Sequence, residues 1–447
     1  MNLSRRLPIV SMAGLLAVLS ACGGGQVGLG DAGGSKETTA KVNKEPAELT
    51  IFYPFPADWP PEVFERVFAE PIKKKFPHVT IKYISAVKGS SIPELITAGQ
   101  KLDIVFTSIG ATFAQLIDNA LQYDITPLIK KYNYDLNKLD PAMIDVGRKL
   151  AEDKGIYGLP VYVPPSTMYY NKDLFDKFGA AYPKDGVTWD ELYELAKKLT
   201  RSDGGVQYVG LGSSYGHLTL LNQLSLPMID VPTKKAMIDK DERWKPFVEN
   251  LVRFYKFPGV AQVSSSWSEP HERNRFIKDR TVAMFLAQTA LFTETELTGF
   301  SWDFAAYPVF KDKPTVGPQA YPVNFYVTSQ SEHKDQAFEV VAFLASEEFQ
   351  AASVRAGSFL STLKDTALRS SFGVNSTLYK GKNVKAMQPQ TYAPPGSIHK
   401  YNATVQSEIN VGIVDVVKTG KDVNTMLREA AEKANIKIDT LEAAAKK

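Results

Sequence analysis

Pro164 and Pro165 stand side by side between two strand-like runs, Ile156 to Val163 and Thr167 to Tyr170. Proline fixes φ and donates no amide, so the pair interrupts a central strand and stiffens an extended segment. Just beyond it, Asn171 is a good N-cap, Leu174, Phe175 and Phe178 recur at helical spacing, and Gly179 stops the turn. A stiff extended segment feeding a helix is what a chain needs when it crosses from one lobe to another. At 447 residues the chain is too long for one ordinary core, so two domains are expected.

The remaining pattern is strands alternating with helices. Leu49 to Tyr53 reads as a strand, followed by a loop, Pro54 to Pro60. Pro61 then opens a helix whose Val63, Phe64, Val67, Phe68 and Ile72 share one face. His78 to Ser85 and Asp103 to Thr107 are further strands, with a short helix, Ile92 to Ala98, between them. Thr188 and Glu191 form a capping box ahead of a stripe of Leu192, Leu195, Ala196 and Leu199. Val282 to Ala287 reads as a core strand. Such alternation gives βαβ units, hence an α/β fold of two lobes, each a mostly parallel sheet flanked by helices.

The first 21 residues have the form of a secretory signal: Arg5 and Arg6, an apolar run from Leu7 to Leu19, then small residues. That run is shorter than the ~20 residues of a spanning helix. It ends in Leu19-Ser20-Ala21-Cys22, which resembles the lipobox of bacterial lipoproteins. Cys22 is the single cysteine, so no internal disulfide can form. Lipid on Cys22 would tether the protein to the outer face of a membrane through a Gly- and Lys-rich linker that runs to residue 47. Gly28, Gly30 and Gly33 match a dinucleotide pattern, but no strand precedes them and no periodic helix follows. Net charge is +3 over the whole chain, with two of the positive charges in the signal segment. No basic field recruits nucleic acid.

The words Tyr157-Gly158-Leu159-Pro160, Tyr169 to Phe175 and Thr188-Trp189-Asp190-Glu191-Leu192, together with Asp103-Ile104-Val105 and Ala283-Met284, resemble a known set. They are similar to the carbohydrate-type solute-binding proteins of bacterial ABC importers. The resemblance runs from residue 48 onward and implies a two-lobed periplasmic-binding-protein fold of type II. The first lobe would be 48–158 with 324–372, and the second 159–323 with 373–447. Hinge crossings are expected near 155–165, 318–326 and 370–390. It implies a monomer that needs no cofactor, binds a small solute and delivers it to membrane permease subunits.

A sugar ring has an apolar face and a hydroxyl edge, so its site needs aromatic plates and fixed polar groups. In doubly wound sheets these lie on loops at the carboxyl ends of strands. Aromatic candidates are Tyr53, Phe55 and Trp59 in the first lobe and Tyr162 and Trp267 in the second. Trp267 is singled out by its polar neighbours. Polar candidates are Asp58, Ser108, Gln288, Thr289, Asn324 and Arg355. The chain departs from maltodextrin binders at Thr107 and Gly110, where they carry a Trp and an Asp, and at Gln288-Thr289-Ala290, where they carry Gly-Pro-Trp, so maltose itself is not expected. Two rivals remain. Gly212-Ser213-Ser214-Tyr215-Gly216 fits a nucleophile elbow and would make Ser214 a hydrolase serine. Tyr169-Tyr170 would suit ferric ion, although neighbours on a strand face opposite ways. Histidines are scattered with no metal-ligand spacing, and His271, Glu272 and Glu269 read as a solvated charge cluster.

Overall fold

Alternating apolar runs and amphipathic helices build two large sheets and two two-stranded ribbons in the computed structural model, which describes residues 44–263, 267–289 and 291–445. The expected signal segment, Cys22 and nearly all of the linker lie outside those residues. In chain order the strands begin with β1 (Ala47–Tyr53), β2 (Val79–Ser85), β3 (Ile104–Ser108), β4 (Gly158–Val163) and β5 (Thr167–Asn171). Next come β6 (Arg201–Asp203), β7 (Val206–Ser213), β8 (Ile229–Asp230), β9 (Lys235–Ala236) and β10 (Val282–Ala287). The last are β11 (Trp302–Ala306), β12 (Val316–Gln319), β13 (Val323–Val327), β14 (Leu360–Ser361) and β15 (Thr391–Ala393).

The first sheet has the order β14-β4-β13-β3-β1-β2, and the second β11-β5-β10-β7-β6. Both are mixed, where mostly parallel sheets were expected. β2, β1 and β3 are parallel neighbours, as are β7 and β10, but β13 runs against β3 and β4, and β5 runs against β10 and β11. The reason is directional. Strands of βα units run toward the junction of the lobes, whereas a strand that has just crossed enters at that junction and runs away from it. β5 and β13 are those entering strands. The carboxyl ends of β1, β3, β4, β7 and β10 and the amino ends of β5 and β13 therefore share one edge in each lobe.

The lobe boundary expected between residues 158 and 159 falls inside β4, which pairs with β13 and β14 of the first sheet. The chain leaves that sheet at Pro164, and Pro164, Pro165 and Ser166 make a buried crossing. The three passages lie side by side. Ser166 N donates to Met387 O at 2.9 Å, and β12 pairs in parallel with β15.

The first lobe's core is aromatic, with Tyr53, Phe106 and Phe325 stacked across β1, β3 and β13. Two π-helical turns, Glu65–Ala69 and Phe113–Ile117, occur in the helical segments that follow β1 and β3. In the second lobe β7 presses on the helix Trp189–Leu199 so closely that a Cβ at Gly210 would lie 2.2 Å from Ala196 O, which only glycine allows. The C-terminal helices Asn402–Thr419 and Val423–Ala444 pack on one another and on the second lobe. No helix among the described residues is long and apolar enough to cross a membrane.

Candidate functional site

β1 ends at Tyr53, and the loop that follows folds back on it. Tyr53 Oη donates to Asp58 Oδ2 at 2.8 Å. Trp59 Nε1 donates to Tyr162 Oη at 2.7 Å, and Tyr83 Oη donates to Trp59 O at 2.8 Å. Phe55 stands edge-on to Tyr53 at 5.8 Å and is 42% exposed. Tyr53, Trp59 and Tyr162 are thus a buried, hydrogen-bonded ring cluster at the edge of the first lobe, 3%, 7% and 7% exposed, and only Phe55 stands open beside Asp58. Tyr162, expected in the second lobe, belongs to the first, because β4 pairs with β13 and β14 before the chain crosses. Asp58 keeps water access, yet enough protein surrounds it that burial raises its pKa against the pull of Tyr53 and of Arg273. A side chain both wetted and enclosed is one on the wall of a cleft. Arg273 belongs to the second lobe, so Asp58 faces across.

Arg273 lies on the helix Glu269–Ile277, which the sequence shows as a run of charges. Helical spacing divides that run between two faces. Glu269 and Arg273, four apart, pair at 3.4 Å on the cleft side, where Arg273 also meets Glu296 at 2.8 Å. Glu272 and Arg275, three apart, pair at 3.1 Å inside the lobe, 0% and 4% exposed. The expected solvated cluster is therefore partly a buried ion pair.

Beside that helix, Tyr255 Oη accepts from Ser213 N at 3.1 Å and donates to Ser213 O at 3.3 Å, fixing the last residue of β7. Trp267 packs edge-on against Tyr215 and Tyr255 and is 1% exposed. Its ring is a core residue rather than the open plate expected. A left-handed φ of +45° directs its side chain independently of its polar neighbours. Its Nε1, the Ser213 Oγ and both side-chain polar atoms of Gln288 are buried without a partner among the described residues. Ser213 pairs with Leu286, two positions before Gln288, so these groups gather at the carboxyl edge of β7 and β10. Buried polar groups in this state are costly unless a ligand or water satisfies them.

Tyr321, on the second crossing, forms the floor. Ser108 Oγ donates to Tyr321 Oη at 3.1 Å, and a Cβ on Gly110 would lie 2.4 Å from that oxygen. His217 meets the ring edge-on at 6.1 Å, and burial lowers the His217 pKa to about 4, so it is neutral there. Asn324 is buried beside Thr107 at the entering end of β13. Thr289 is half-buried in the bend after β10. Arg355 is exposed in the last turn of the helix Glu347–Ala356, and among the described residues it has no bond to the other candidates. Sequence reasoning missed Tyr83, Arg273 and Tyr321. For Arg273 the four-residue spacing from Glu269 was the available signal.

Of the rival constellations, Ser214 sits beside a histidine but serves as a helix cap, and the tyrosine pair is split. Ser214 is the N-cap of the helix Tyr215–Leu220, its Oγ accepting from His217 N and lying 2.9 Å from His217 Nδ1. Tyr169 is fully buried against Phe292, and Tyr170 points away toward Phe175 and Tyr182. No group of three or more metal-ligating side chains occurs among the described residues.

Residues 57–351 match the model of a family described as bacterial extracellular solute-binding protein. A binding protein of Brucella abortus (strain 2308) is 27% identical over 235 residues, 48% of this chain and 53% of that one. The chain thus spans about half the length of that relative. A mannitol-binding protein of Pseudomonas aeruginosa is 32% identical over 119 residues, 26% of this chain and 24% of its own. Among solved structures, an ABC substrate-binding protein of Listeria monocytogenes in complex with cycloalternan superposes with a TM-score of 0.69 at 19% identity. That superposition covers 88% of this chain and 100% of the Listeria chain.

Proposed function

The chain belongs to the family of bacterial extracellular solute-binding proteins, and on that premise we propose that it captures a sugar, polyol or oligosaccharide between its lobes and passes it to the permease of an ABC importer. The reading is supported by two complementary surfaces, one at the strand edge of each lobe. One is the ring cluster of Tyr53, Trp59 and Tyr162, buried except for Phe55 exposed at its rim; the other is an edge of buried polar groups, Ser213, Trp267 and Gln288, that lack partners among the described residues. Rings suit the C–H face of a sugar, and unmatched donors and acceptors suit its hydroxyls. The mannitol-binding relative and the cycloalternan-bound structure fit the same class of solute.

We read the protein as a receptor and not an enzyme: Ser214 is engaged as a helix cap, and a histidine with a pKa near 4 is a poor base at neutral pH. A thermal-shift screen of sugars, polyols and oligosaccharides tests this. A true ligand at a hundred times its Kd adds about 2.7 kcal/mol to the folded state, and it should be recovered chemically intact. A full panel without a stabilising member would remove the sugar reading.

The same proposal places the protein outside the cytoplasm with lipid on Cys22. Mass spectrometry of the N-terminal peptide from membranes should show Cys22 acylated, and Cys22→Ser should free the protein into the soluble fraction. An unmodified Cys22 would show that the anchor is absent.

A further inference from the structure

Resting on the sugar-binding reading, the charge arrangement of the cleft says which sugars can enter. The cation that faces Asp58, Arg273, is already spent. Its Nε donates to Glu296 Oε1 at 3.0 Å, its Nη2 to Glu296 Oε2 at 2.8 Å and to Leu291 O at 3.3 Å, and its Nη1 to Glu269 Oε1 at 3.4 Å. Four of the five guanidinium N–H groups are therefore occupied. One face of the group lies 4.3 Å over the Phe292 ring. An arginine that clamps a ligand carboxylate needs its fork open. This fork is closed by the protein's own carboxylates, and one guanidinium stands against three of them: Glu269, Glu296 and, from the other lobe, Asp58.

We propose that the cleft selects uncharged polyhydroxy solutes and rejects their acids, such as uronic or aldonic acids, with Asp58 and Glu269 as the specificity-determining residues. A carboxylate entering between the lobes would meet Asp58 on one side and Glu269 on the other, with the Arg273 guanidinium already bound by the protein's own carboxylates. Like charges brought together in a partly dry site cost far more than they do in water. Hydroxyl groups satisfy the same oxygens by donating to them. His217, neutral at the floor, adds no compensating charge.

The test is calorimetry or thermal shift with matched pairs: glucose and glucuronate, galactose and galacturonate, mannitol and mannonate, and galactotriose and trigalacturonate. The expected result is at least one neutral member that binds, with its acid at least tenfold weaker at low ionic strength. The gap should narrow in high salt and in the Asp58→Asn, Glu269→Gln double variant, whatever that variant does to the neutral ligand's own affinity. An acid that binds as tightly as its neutral partner, or tighter, overturns the charge selection and leaves the sugar reading standing. A tenfold gap unchanged by both salt and the double variant overturns the assignment to Asp58 and Glu269. Failure of every neutral and acidic member to bind overturns both readings.

Discussion

Replacing Phe106 by alanine is expected to destabilise the first lobe by about 3–5 kcal/mol. The ring is 0% exposed and is the middle of three stacked rings on adjacent strands. It lies 4.3 Å from Tyr53 at 15° and 4.3 Å from Phe325 at 11°. Phe64 and Phe68 close on it at 6.0 Å each. Alanine would leave a void walled by rigid rings and strands that collapse poorly, and would remove two stacking pairs worth roughly 0.5–1.5 kcal/mol each. Urea unfolding followed through the first-lobe transition measures the loss. A change under about 1 kcal/mol would show that neighbouring rings refill the space and that the stack has no special weight. Solute affinity should fall too, because the phenol that holds Asp58 rests on this ring. Phe106→Leu keeps much of the volume and should cost markedly less.

Glu272→Ala should be comparably severe in the second lobe, at about 3–5 kcal/mol. The carboxylate is fully buried and pairs with Arg275, itself 4% exposed, so removing it leaves a guanidinium in the interior. Gly212 has no side chain where Glu272 sits, since a Cβ there would lie 2.9 Å from Glu272 Oε2. Joint replacement, Glu272→Leu with Arg275→Met, removes both charges and is expected to cost far less than the single change. Equal losses from the single and the double variant would assign the cost to packing rather than to charge. Because the helix that carries this pair also carries Arg273, Glu272→Ala should disturb the cleft face as well.

The sequence was legible where structure is decided within a few residues. Asn171 accepts from Leu174 N at 3.3 Å, Gly179 takes φ +64°, and Thr188 with Glu191 closes the capping box. Each is local chemistry, visible without a fold. The ends of β1, β3 and β10 were likewise located by their apolar runs, which put Tyr53, Ser108 and Gln288 at strand ends, whereas Tyr162 was assigned to the wrong lobe because β4's pairing with β13 is not written in its own run. What could not be read was decided between distant segments. Tyr321 is tied to Ser108 across 213 positions of chain. Trp267 looked open because its neighbours are polar, yet its own φ turns the ring into Tyr215 and Tyr255. The antiparallel insertion of β5 and β13 depends on where the chain enters each sheet, which strand patterns alone do not record.

The triple passage between the halves limits how they can move. One connection would let them swivel freely, like a ball on a string. Three laid abreast, tied by the bond from Ser166 to Met387 and by the β12–β15 ribbon, behave as the spine of a book. The covers can open and shut, but they cannot skew without tearing the binding. On the proposed function, every closing stroke would return Asp58 to the same side as Arg273, and a guest that fits badly would hold the whole volume ajar.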